Sequence, residues 1–178
     1  MEQYIQISKL NDFLYSPQSL YLHSVYESFG DVVYKEEPQL LGQKVHEAIE
    51  DGRYSSEKRY LLGLSVYSEK YNLGGKIDIY DQKTRTLIER KARIKTIYDG
   101  HRYQLWAQRF CLEEMGYHVD AMVVRSVLDN KKYTIRPPVP FEVREFEYVL
   151  KKIREYDPCK EDPFRYRCDL SIYRHLSY

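Results

Sequence analysis

The stretch Leu87-Ile88-Glu89-Arg90-Lys91-Ala92-Arg93, "LIERKAR", ends an apolar run with a carboxylate and an ammonium two residues apart. Side chains in a β-strand alternate between the two faces of the sheet, so Glu89 and Lys91 are expected on the same face. On a solvated face they would form a weak surface ion pair. In a cleft they would be two members of an active site. The choice between these two interpretations depends on which side chains the neighbouring strand places on the same face.

The preceding run, "GGKIDIY", carries Asp78. If residues 82–83 form the tip of a hairpin, Asp78 faces Leu87 and is the diagonal neighbour of Glu89. Diagonal neighbours lie roughly 7–8 Å apart, a gap that two carboxylates can close onto one shared cation. The pattern therefore predicts three ionisable groups, Asp78, Glu89 and Lys91, on one side of one hairpin.

Such a set favours metal-assisted hydrolysis. Two carboxylates hold Mg²⁺ or Mn²⁺, which polarises a phosphoryl oxygen and acidifies water. Lys91 would orient or deprotonate that water, or neutralise charge on the phosphate. His46, in "LLGQKVHEAIE", is either a core histidine or a third ligand, and an imidazole shifts the preference toward Mn²⁺. Gln104 and Gln108 share a helix face, where an amide would bridge lysine, water and phosphate; the alternative is a solvated surface.

The order of hydrophobic patterns around this stretch indicates one α/β domain over residues 1–178. The expected architecture is a mixed central sheet flanked by helices, not a doubly wound parallel fold. The predicted elements are helices near 8–14, 18–26, 38–49, 99–115 and 141–155, and strands within 59–68, 72–81, 84–93, 117–128 and 131–136.

Composition and charge limit the class of protein, but they do not identify a binding partner. The formal net charge is +1, so any basic surface must be local. No apolar run is long enough to cross a membrane, and the start "MEQYIQISKL" is not that of a signal peptide. The three cysteines form no disulfide framework, which favours a reducing, cytoplasmic setting.

Four stretches together resemble a known group: the segment around His46, "GGKIDIY", "LIERKARIK" and "HRYQLWAQRFCLEEMGY". They are similar to the RecB-like PD-(D/E)xK nucleases, and in particular to the CRISPR-associated exonuclease family, the fourth Cas protein. The segment "ISKLNDFLYSPQSLYLH" is similar to the start of that family, so the resemblance spans nearly the whole chain. It implies a restriction-endonuclease-like core.

The resemblance also implies roles for single residues. The metal ligands would be His46, Asp78 and Glu89, together with the backbone carbonyl of Arg90. Lys91 would act on the nucleophilic water and Gln104 would support it. RecB-like relatives often carry tyrosine where this chain has Gln108, so the role of Gln108 stays open.

The activity that the resemblance implies is metal-dependent cleavage of DNA, as an exonuclease or endonuclease. Family members trim prespacer ends, single-stranded or overhanging, during spacer acquisition in antiviral defence, and dock on the CRISPR integrase complex. One alternative is a non-catalytic module that binds DNA or the integrase. Another is a generic RecB-like repair nuclease.

The chain departs from the family at its iron–sulfur site. One N-terminal and three C-terminal cysteines are expected, but the matching positions hold Ser16, Cys168, Ser171 and Ser177. A serine hydroxyl has a far higher pKa than a thiol and is a poor ligand for cluster iron. These positions are therefore predicted not to function as ligands, and no cluster is expected.

The other two cysteines do not replace the missing ligands. Cys111 lies in an amphipathic helix and is expected to be a small core residue. Cys159 lies outside the family's spacing. Without a cluster, the N-terminal helical segment (about 1–35) and the C-terminal segment (about 156–178) are expected to pack directly together.

Overall fold

A computed structural model describes residues 4–17, 20 and 58–157 of the chain. These ranges include the candidate strands, the helix after Lys91 and the last predicted helix. The predicted helix near 38–49 lies outside them, as does the one near 18–26 apart from residue 20. Predictions for five single residues also lie outside them: His46, Cys159, Cys168, Ser171 and Ser177.

The described residues form a mixed α/β structure, as predicted. Its elements in chain order are β1 Ile5–Gln6, α1 Ile7–Tyr15, β2 Tyr60–Leu62, β3 Ser65–Ser68, β4 Leu73–Lys76, β5 Ile79–Asp81, β6 Thr86–Lys91, α2 Asp99–Glu114, β7 Ala121–Ser126, β8 Lys131–Ile135 and α3 Pro140–Glu155.

The strands form two sheets. The larger has the order β2-β5-β6-β7-β8, and the smaller has the order β1-β4-β3. In the larger sheet β6 and β7 are parallel and joined by α2, whereas the other pairs are antiparallel. The prediction of a mixed sheet flanked by helices is confirmed at this level.

One bent hairpin joins the two sheets. Residues 59–68 and 72–81 were each expected to form a single strand, and this is wrong, because each run breaks into two strands. The first break lies at Gly63, whose φ of 59° is a conformation that glycine adopts readily. The second lies at residues 77–78, so Asp78 stands where the chain passes from the small sheet to the large one.

The turn between β5 and β6 is longer than predicted. Asp81 pairs with Thr86, which leaves a four-residue turn at 82–85. The Oδ1 atom of Asp81 accepts the backbone N–H of Lys83 at 3.0 Å and that of Thr84 at 3.3 Å. This side-chain cap stabilises the wider turn, so the predicted two-residue tip is wrong.

The longer turn shifts the register by two residues. Ile79 pairs with Ile88, so Asp78, one residue earlier, lies at the register position of Glu89 and not of Leu87. Because side chains alternate with a period of two, an even shift leaves the face unchanged. The predicted shared face of Asp78 and Glu89 is therefore retained.

The long helix α2 contacts both sheets. Its buried side includes Leu105, Trp106 and Cys111, and the prediction that Cys111 is a core residue is confirmed. At its end, Glu114 accepts the Ser68 hydroxyl and the backbone N–H groups of residues 69 and 70 in the turn after β3. The helix therefore holds the edge of the small sheet.

The helix boundaries follow local chemistry. The chain leaves α2 at Gly116, whose φ is 92°, as its sequence position predicts. Pro140 begins α3, where its missing N–H costs nothing.

Phe13 of α1 packs edge-on against Tyr156, with ring centroids 6.0 Å apart. Every helix in the described ranges is too short or too polar to span a lipid bilayer.

Candidate active site

A groove of about 760 Å³ runs from the small sheet to β6 and α2. Its lining includes Asp78, Glu89, Lys91 and Gln104. Four residues predicted to act together are therefore gathered on one concave surface. The fifth, His46, lies outside the described residues.

Glu89 is the most buried member of the site, with 2% of its surface exposed. Its Oε1 atom accepts the Gln104 amide at 2.7 Å, and its Oε2 atom accepts the Gln108 amide at 2.8 Å. The Lys91 Nζ atom lies 2.9 Å from Oε1. A carboxylate held by donors on both oxygens keeps one orientation, so the site is preformed around Glu89.

The Asp78 side chain contacts β6, the strand that carries Glu89. Its Oδ2 atom accepts the backbone N–H of Arg90 at 2.7 Å, and only 8% of the residue is exposed. This bond sets the Asp78 carboxylate against the strand that carries Glu89 and Lys91.

Lys91 completes the group. Its ammonium donates to the Gln104 Oε1 atom at 3.0 Å, while the Gln104 amide donates to Glu89. Burial lowers the pKa of Lys91, but the negative charges of Glu89 and Asp78 raise it by more, so the net pKa lies above its usual value. At neutral pH the Lys91 side chain is therefore an ammonium.

The two glutamines belong to the interior. Gln104 is 9% exposed and Gln108 is fully buried, so the alternative that they form a solvated surface is wrong. Gln104 bridges Lys91 and Glu89. Gln108 contacts Glu89 directly, through its side-chain amide.

The sequence analysis did not identify His101, a buried histidine in the first turn of α2, close in sequence to Gln104. It is 8% exposed, and its ring packs on Tyr98 with centroids 4.1 Å apart. Burial and the Lys91 charge lower its pKa to about 4, so the imidazole is neutral at physiological pH. Its Nδ1 atom has no hydrogen-bond partner in the described part of the chain. The three-residue spacing from Gln104 would have pointed to it, because residues at i and i+3 share a helix face.

The donor set suits a hard divalent cation in part. Two carboxylates, Asp78 just before β5 and Glu89 in β6, offer the oxygen ligands that Mg²⁺ and Mn²⁺ prefer. Within residues 4–17, 20 and 58–157, no three or more His, Cys, Asp or Glu side chains gather as a metal-binding group. The predicted third ligand, His46, lies beyond those ranges. Ser16 is one of the positions predicted not to hold an iron–sulfur cluster. It is 4% exposed and is the C-cap residue of α1.

Comparisons with known proteins bear on the fold alone. No protein-family profile matches the chain, and no curated protein does. Thirteen chains of solved structures match, among them the crystal structure of SSO0001. That match has 14% sequence identity and a TM-score of 0.62, and covers 99% of this chain and 86% of that one. At this identity the likeness establishes a shared fold.

Proposed function

We propose that this protein is a divalent-metal-dependent nuclease that hydrolyses phosphodiester bonds in DNA. One observation carries the proposal: Asp78, Glu89, Lys91 and Gln104 line the same groove. Short polar contacts link Glu89, Lys91 and Gln104, and Asp78 accepts the backbone N–H of Arg90 on the same strand. A lone buried ion pair would need neither a groove nor a second carboxylate. Two acids with an amine and an amide in a cleft are the groups that metal-assisted hydrolysis uses.

The cation would be Mn²⁺ or Mg²⁺. Asp78 and Glu89 would hold it, with His46 and the Arg90 carbonyl as the resemblance to RecB-like nucleases implies. When bound, such an ion polarises a phosphoryl oxygen and acidifies a water molecule.

The chain's own residues supply the remaining requirements. The amides of Gln104 and Gln108 fix Glu89, so its carboxylate needs no reorganisation when a ligand arrives. The Lys91 ammonium is held by Gln104 Oε1 and would neutralise negative charge that develops on the phosphate. Asp78 is held against the same strand by the Arg90 N–H.

The biological role that we propose is the trimming of prespacer ends in CRISPR adaptation, together with the integrase complex and in the cytoplasm. The resemblance of residues 7–23 to the family's N-terminal segment supports this role over generic DNA repair. Pull-down of the neighbouring integrase tests it, because a repair enzyme should not retain that partner. Iron analysis and an absorption spectrum test the expectation that no iron–sulfur cluster forms.

A second candidate is a non-catalytic module that binds DNA or the integrase. It is favoured by one observation: Glu89 is already neutralised by Lys91 at 2.9 Å and clamped by two amides. A buried carboxylate satisfied in this way also fits a purely structural role.

Cleavage of fluorescent single-stranded and overhang DNA in Mn²⁺, Mg²⁺ or EDTA separates the two candidates. The nuclease should cut only with metal, and Lys91→Ala and Asp78→Asn should each slow cutting by roughly 100-fold or more. Asp120→Asn is the matched control, since Asp120 lies outside the groove with 65% of its side chain exposed. Equal cutting by all four proteins would identify a contaminant and exclude catalysis by this site.

A further inference from the structure

The small sheet exposes a face whose residues alternate regularly. In β3, Ser65 and Tyr67 are exposed while Val66 and Ser68 are buried. Before and within β1, Tyr4 and Gln6 are exposed on either side of the buried Ile5. A period of two puts the exposed residues of each strand on a single face.

Strand register brings these residues into rows across the sheet. Gly74 of the middle strand pairs with Gln6 on one side and with Tyr67 on the other. Lys76 pairs with Ser65 in the next row, two residues before Asp78. We call the whole set the aromatic face, and its members are Tyr4, Gln6, Ser65, Tyr67, Gly74 and Lys76.

The aromatic face is one wall of the groove that contains the candidate active site. All six of its residues line that groove together with Asp78 and Glu89. Two of the six are tyrosines that expose 45% (Tyr4) and 51% (Tyr67) of their surface. Large aromatic surface left in water beside a polar site is typical of a recognition surface.

Gly74 keeps the middle of this wall open. A Cβ atom there would lie 3.5 Å from the Tyr4 Cβ atom and 3.8 Å from its Cγ atom. Any longer side chain would therefore occupy the space between the two tyrosine-bearing strands. With glycine, a flat group can approach the sheet between the rings.

We propose that the aromatic face is a base-stacking subsite for single-stranded DNA, in which Tyr4 and Tyr67 each stack on an unpaired base. This inference rests on the proposed function for the nature of the ligand. Stacking on an aromatic ring needs an exposed base face, which paired and stacked bases in a duplex do not offer. Lys76, between the tyrosines and Asp78, supplies positive charge for the strand's phosphates as it passes toward the acids.

Fluorescence anisotropy with a labelled thymidine oligonucleotide in EDTA tests the subsite without any cleavage. Tyr67→Ala and Tyr4→Ala should each weaken binding by roughly 5- to 150-fold, the range of one lost base stack. Tyr67→Phe keeps the ring and should stay within about two-fold of the unmodified protein. Tyr148→Ala is the matched control, since Tyr148 is 60% exposed but does not line the groove.

An abasic oligonucleotide of the same length distinguishes stacking from a general loss of charge attraction. It should bind more weakly than the thymidine strand, and Tyr67→Ala should not weaken it further. The inference is overturned if the alanine variants bind the thymidine strand normally, if the abasic strand binds equally well, or if no single strand binds. Binding that follows the expected pattern in a protein that never cuts DNA would instead reject the nuclease proposal and retain the subsite.

Discussion

Replacing Gln108 with leucine measures how much the amide clamp on Glu89 contributes to folding. Gln108 is fully buried, and its amide donates to Glu89 Oε2 at 2.8 Å. A hydrogen bond to a charged group contributes roughly 1.5–3 kcal/mol. Against this, Gln108 Oε1 is buried without a hydrogen-bond partner in the described residues, and removing such an atom returns about 1 kcal/mol. We therefore expect a net loss of about 1 kcal/mol in the free energy of unfolding.

The same substitution in a Glu89→Gln background isolates the contact. Without the charge on its acceptor, Gln108→Leu should cost about 1 kcal/mol less than it does in the unmodified chain. Urea unfolding in EDTA gives both values, followed by the fluorescence of Trp106, which is the single tryptophan and is 2% exposed. Costs that agree within about 0.5 kcal/mol in the two backgrounds would refute the clamp.

Three further outcomes follow from contacts outside the site. Bonds from Ser68 and two backbone N–H groups lower the pKa of Glu114 below its usual 4.5. Because Glu114 is exposed and water screens these contacts, Glu114→Gln should lose at most about 1 kcal/mol at pH 7. Its deficit in urea unfolding should shrink as the pH falls below 4.5 toward that lowered pKa, and a deficit that stays constant as the pH is lowered would contradict the assignment. With all other cysteines replaced by serine, Cys111 should resist a thiol reagent until the protein unfolds, because burial raises its pKa to about 12; rapid native labelling would disprove this. Gly100→Ala should lower the melting temperature, since its Cβ atom would lie 2.4 Å from Asn11 Oδ1, whereas an unchanged melting temperature would show that this neighbour moves freely.

The helices that follow β6 were predictable because their periodicity and their ends agree. The apolar spacing in residues 141–155 predicts one buried stripe, and its members Phe146, Leu150 and Ile153 are buried. Gly116 ends α2 where a left-handed residue is needed. Each signal is local, so no knowledge of the tertiary structure was required. The mixed sheet follows from the same order of elements.

The bend and the turn were not predictable, for two different reasons. Residues 59–68 and 72–81 continue an apolar pattern through the break, and only packing against two separate sheets reveals it. The turn contains no Asn-Gly or Asp-Gly pair to set its length. Its length follows from the side-chain cap of Asp81 and from Arg85, which adopts a φ of 50°.

The error in the turn length leaves the predicted placement of the site residues unchanged, because only an odd register error moves a side chain to the other face of the sheet. A register error of two residues leaves Asp78 and Glu89 on one face, whereas an error of one would have separated them. Spacing also linked Gln104 to Gln108, but it could not show that both reach Glu89. That contact depends on how α2 crosses β6, which the sequence does not state.

The way α2 holds both sheets has a consequence for hydrogen exchange. Glu114 ties the end of β3, while Gln104 and Gln108 tie Glu89 in β6, so neither strand can detach while the helix stays folded. Slowly exchanging amides in the two strands should therefore open with one common free energy, as a single cooperative unit. A protein built in this way would lose its groove all at once.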